Sequence, residues 1–85
     1  MPTYHPDILE ALAAHGLAPT AGTTPDQLRA ALNDLYRYEI RRLRDRCRAG
    51  EFPVAALSTH VIALRSRYLL LSIPMARWTI ETPPI

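Results

Sequence analysis

Lysine is absent from this chain. All ten basic residues are arginine, so every fixed positive charge is a planar, permanently protonated fork suited to carboxylates, phosphates and aromatic faces. The plainer reading of that bias, with the alanine and proline usage beside it, is a GC-rich coding sequence. Cysteine occurs once, at Cys47, which excludes an internal disulfide and fits a reducing cytoplasm. No apolar run is long enough to cross a bilayer; the longest, Tyr68-Leu69-Leu70-Leu71, is far too short. Met1-Pro2-Thr3-Tyr4 has no basic segment and no apolar stretch follows it, so a secretory signal is not expected.

The chemistry-bearing patterns are missing too. His5, His15, His60, Cys47 and eight acids are present, but none forms the close Cys-x-x-Cys or His-x-x-x-His pair that preorganises two zinc ligands. Asp7 and Glu10 are three apart, the usual acidity of a helix's first turn. Ser58, Thr59 and His60 are adjacent, and helical neighbours point apart, so they make no triad. Cys47 has no base at helical spacing to activate it and reads as a small core residue. Neither a metal, nor a cofactor, nor an enzymatic activity is expected.

What is present is helix. The 85 residues make one domain with a thin core, 48% hydrophobic and 21% charged. A first helix opens at Pro6, with Asp7 in its positive end, and buries Ile8, Leu9, Leu12 and Ala13. Gly16 ends it, and Leu17 folds back on Leu12. After a loop over residues 18–23, Thr24-Pro25-Asp26-Gln27 is a capping box that starts a helix running to Gly50. That helix has about 25 residues and a length of about 37 Å. A compact body of this chain length is only about 31 Å across. The helix is therefore expected to overhang its own core, giving an elongated fold or one completed by a second subunit.

Leu28, Leu32, Leu35, Tyr36, Ile40, Leu43 and Cys47 fall on one face of it at three- and four-residue steps. A short break at Gly50-Glu51-Phe52-Pro53 forces the next helix antiparallel. Its expected buried face is Val54, Leu57, Val61, Leu64, Tyr68 and Leu71. Beyond Ser72, Pro74, Pro83 and Pro84 forbid further helix, and Trp78-Thr79-Ile80 favours an extended segment. The fold class is thus all-α: a short N-terminal helix packed on an antiparallel hairpin of one long and one medium helix, then an irregular Pro-rich tail. The expected division is a helical domain over 1–72 and an extended tail over 73–85. Many small helical bacterial proteins have this general shape, an analogy that carries no function.

Three constellations bear on function. Arg37, Arg41, Arg44 and Arg48 line the polar edge of the long helix, a pattern able to track phosphates, although a solvated helical face explains it with fewer assumptions. Glu39 and Arg46 fall within the apolar arc, where an unpartnered charge is costly. Arg65 or His60 of the antiparallel helix could partner Glu39; alternatively, Glu39 of one chain meets Arg46 of another across a two-fold axis. In the tail, Met75, Arg77 and Trp78 are residue types enriched at interface centres; the plainer reading puts Trp78 in the core. Tyr4, Tyr36 and Tyr38 read as exposed. The functional expectation is a non-catalytic helical interaction or accessory protein, homodimeric through the apolar edge of the long helix. The alternative is an anion or nucleic-acid binder using the arginine edge.

Overall fold

The computed structural model describes residues 3–80. Its first element is a two-residue strand, β1 (Thr3–Tyr4), followed by helix α1 (Pro6–Ala14). Gly16 adopts φ 75°; its N–H bonds Ala13 O at 2.9 Å and the Leu17 N–H bonds Leu12 O at 2.9 Å. That is the Schellman pair of bonds, and Leu17 packs against the core that holds Leu12.

Helix α2 (Pro25–Arg48) is continuous over 24 residues. Its capping box is complete: Gln27 N–H donates to Thr24 Oγ1 at 3.2 Å, and Thr24 N–H to Gln27 Oε1 at 2.9 Å. Gly50, at φ 83°, closes the helix with the same pair of bonds, Gly50 N–H to Cys47 O and Glu51 N–H to Arg46 O, both 3.0 Å. Here the side chains that meet across the cap are ionic, Arg46 and Glu51, with Nε to Oε2 at 2.9 Å.

Helix α3 (Val54–Arg67) returns against α2 as the second arm of the hairpin. Pro53 occupies the position before its first turn. The chain after it is more ordered than the expected irregular tail. Short 3-10 turns at Leu69–Ser72 and Met75–Arg77 lead into β2 (Thr79–Ile80), which pairs antiparallel with β1 in the register Thr3 to Ile80 and Tyr4 to Thr79. His5 N–H extends the ladder to Trp78 O at 3.1 Å. The Arg29 guanidinium bonds the carbonyls of Leu71 (3.0 Å) and Ile73 (3.4 Å), fixing the first turn to α2.

The core lies at one end of the molecule. Tyr4, Ile8, Leu12, Leu28, Leu32, Leu64, Tyr68, Leu70 and Trp78 form it, with Trp78, Leu12 and Leu32 fully enclosed. The boundary expected after residue 72 therefore falls inside this core, because Ile73, Met75 and Trp78 all pack into it. Tyr4, expected to be exposed, is buried as well. Away from this end burial fades along the rods. Leu28 and Leu32 are buried, whereas Leu35, Tyr36, Ile40, Leu43 and Cys47 are half-buried. On α3 the fall is steeper: Leu64 is buried, Leu57 and Val61 are half-buried, and Val54, expected on the core face, is 77% exposed. Only one helix covers each arm there. The result is a rod of 59 × 20 × 16 Å with a radius of gyration of 16.0 Å, against about 12 Å for a compact chain of this length.

Candidate functional site

Glu39 and Arg46 both find partners inside the chain. The Tyr68 hydroxyl donates to Glu39 Oε2, and Arg67 Nη2 lies 3.8 Å from Glu39 Oε1. The antiparallel helix thus supplies the counter-charge, but from Arg67 and Tyr68 instead of the expected Arg65 or His60. Arg46 pairs with Glu51 and places its guanidinium carbon 5.7 Å from the Phe52 ring centroid. Neither charge requires a second subunit to satisfy it. Burial, then the Glu39 hydrogen bond and carboxylate charge, push the Tyr68 hydroxyl up to about 12, with Arg67 pulling weakly the other way. Tyr68 is further fixed by His15, whose ring centroid lies 4.3 Å away and whose Nε2 is 2.8 Å from Arg67 O.

These pairings brace one side of the hairpin into a groove of about 310 Å³. Glu39, Arg42 and Arg46 rise on successive turns of α2; His60, Ala63 and Arg67 face them from α3, and Leu43 and Leu64 floor it. Phe52 packs on His60 at 4.2 Å between ring centroids, completing a stack with Arg46 at the turn end. Among the described residues Arg42 enters no ion pair. Helical spacing did not reveal this cluster, because it depends on which turn of α3 lies opposite which turn of α2.

The other candidate residues are scattered. Arg37, Arg41, Arg44 and Arg48 are all exposed on the outer edge of α2; Arg48 lies 4.0 Å from Asp45, and the other three make no ion pair among the described residues. Trp78 is fully enclosed and donates its indole N–H to Ile73 O at 3.2 Å, so its ring is core and presents nothing to a partner. Met75 packs half-buried against the same core, and Arg77 is exposed. Tyr36 is half-buried edge-on to Tyr68 at 5.2 Å, leaving Tyr38 as the exposed tyrosine of the expected three.

Among the described residues, the three most exposed large apolar side chains lie on α3 and the turn after it. Val54, Ile62 and Leu69 are 77%, 62% and 60% exposed. With Ser58, Val61 and Arg65 they follow three- and four-residue steps down one side of the helix and into the turn after it, a strip of about 22 Å. No acid occurs between Val54 and Arg67. The outer edge of α2 is the reverse, charged at almost every turn.

Fold and surfaces together define a small all-α protein whose helical hairpin projects from a core at one end. No helix among the described residues is long and apolar enough to cross a membrane. Neither a family model, nor a curated protein, nor a solved structure matches the chain.

Proposed function

We propose that this protein is a non-catalytic interaction protein of the cytoplasm that works as a homodimer, a second copy covering the open strip of α3. The observation that carries this reading is surface area. A compact monomer of 9.6 kDa exposes about 5,100 Å², and this chain exposes 6267 Å², roughly 1,200 Å² in excess. A rod of 59 × 20 × 16 Å leaves such an excess open, and a second copy on the α3 strip would cover part of it. Charge selects the strip. A surface that meets its own copy must not repel itself, and the open strip of α3 offers one arginine, Arg65, and no acid, where the outer edge of α2 offers four, Arg37, Arg41, Arg44 and Arg48. The apolar edge of α2 is already used by α3, so the pairing helix is the shorter one. The lone cysteine supports the cytoplasmic assignment.

Light scattering across a concentration series tests the proposal. The expected mass is twice that of one chain, and Ile62→Glu is expected to give a helical monomer. A wild-type mass of one chain at high concentration removes the dimer. A dimer that Ile62→Glu leaves intact removes the strip.

The guanidinium groups of Arg37, Arg41 and Arg44, which make no ion pair among the described residues, favour a second reading, nucleic-acid or other polyanion binding along α2. Titration of labelled DNA and RNA at two salt concentrations separates it from the first. Binding that weakens steeply with salt supports it, and no binding at low salt eliminates it.

A further inference from the structure

We infer that the groove between α2 and α3 binds the phosphate group of a small phosphate monoester. Three guanidinium groups, on Arg42, Arg46 and Arg67, converge there against one lining carboxylate, Glu39. Glu51, which holds Arg46 from outside the lining, still leaves the set positive. A phosphate monoester carries about −1.5 to −2 at neutral pH and offers three acceptor oxygens, a match in sign and in number of forks. Arginine is the side chain suited to that geometry, because its donors lie in a fixed plane.

One of the three forks is already held: Arg46 is fixed by Glu51 at 2.9 Å and lies against Phe52, while Arg67 lies 3.8 Å from Glu39, too far for a hydrogen bond. Ordering entropy spent in folding is not spent again on binding, which is how preorganised sites gain affinity. Arg42, lacking an ion pair among the described residues, supplies the free fork. The groove's 310 Å³ is larger than a phosphate ion needs and sits at the lower end of small-ligand sites. Its apolar floor of Leu43 and Leu64, with the small Ala63 leaving space, gives the organic part of an ester a surface to cover.

The groove lies along the edge of α3 that carries His60, Ala63 and Arg67, and the open strip lies along the edge that carries Val54, Ile62 and Leu69. Pairing through the strip leaves the groove open, so the inference stands whether or not the chain pairs.

Calorimetric titration of the full-length chain tests it, using inorganic phosphate, phenyl phosphate and, as a carboxylate comparison, benzoate. The expected result is saturable binding of phenyl phosphate, weaker binding of inorganic phosphate, and no saturation by benzoate. Arg42→Gln is expected to weaken phenyl phosphate by roughly tenfold or more, and Ala63→Leu, which fills the groove, to abolish it. Arg77→Gln, a charge change at the core end, is expected to leave it unchanged. Both groove variants alter exposed positions, and their helicity by circular dichroism confirms that they fold. Absence of saturable phosphate binding overturns the inference. So does an equal loss in Arg42→Gln and Arg77→Gln, which marks attraction by net charge alone.

Discussion

Two tyrosines of similar burial carry opposite energetics. The Tyr68 hydroxyl bonds Glu39, whereas the Tyr4 hydroxyl is buried without a partner among the described residues. Removing a hydroxyl bonded to a charged group costs about 1.5–3 kcal/mol, while removing an unsatisfied one is neutral or favourable. Tyr68→Phe is therefore expected to destabilise by that amount in urea unfolding, and Tyr4→Phe to leave stability equal or slightly higher. The same pair sets the alkaline limit. Burial raises both hydroxyls, Tyr68 from 10.0 to about 12. Below pH 10 folded and unfolded chains are both protonated, and the stabilisation is fully present. Between pH 10 and about 12 only the unfolded chain releases the proton, so stability falls through that window. Tyr68→Phe is expected to flatten the fall, with Tyr4 retaining its share. The burial of Tyr68 was legible from the spacing of α3, whereas its bond to Glu39 and the burial of Tyr4 were not. Tyr4 precedes any helical pattern and reads as exposed, and only the β1–β2 ladder, closed across the whole chain, puts it inside.

At the scale of elements, the helix boundaries were legible because their causes are local. Pro6, Gly16, the Thr24–Gln27 box and Gly50 each act within a few residues, and all four do in the structure what their spacing predicts. Gly16 and Gly50 hold positive φ, and a Cβ at either would meet nothing within 4 Å. The penalty for Gly50→Ala is thus conformational alone, about 1–2 kcal/mol. Gly22 has equal space and no positive φ, so Gly22→Ala is expected to be neutral or to stabilise by about 0.4–1 kcal/mol. Thermal melts of the two variants read that difference in sign. The extended backbone at Thr79–Ile80 was legible, but its pairing with β1 and the 3-10 turns were not. A two-residue strand has no periodicity, and its partner is at the other end of the sequence. Arg29 gives no sequence signal for a related reason: its acceptors, the Leu71 and Ile73 carbonyls, are backbone groups that no side-chain pattern reveals.

For the whole molecule, the length of α2 against the size of the chain was enough to foresee an elongated body. Which helix would be left uncovered was not. A helical wheel on α2 finds an apolar face and cannot tell whether α3 or another chain occupies it, while on α3 the exposed Val54 falls in what reads as ordinary core spacing. The burial gradient predicts graded stability. Amides near Leu28, Leu32 and Leu64 should exchange only with global unfolding, and those of residues 41–48 and 54–60 by local opening. Hydrogen exchange followed by mass spectrometry should resolve the two classes. If a second copy covers α3, dilution should speed exchange in residues 54–60 and leave the core end unchanged.

The clasp between Thr3–Tyr4 and Thr79–Ile80 has a further consequence for how the chain reaches this shape. Helices and hairpin need only neighbours, but Trp78 is sealed only when segments from opposite ends of the sequence find each other. That meeting is the most non-local contact in the fold, and its loop-closure entropy must be met before its burial stabilises anything. A chain built mostly from neighbouring contacts is therefore closed by its most distant one.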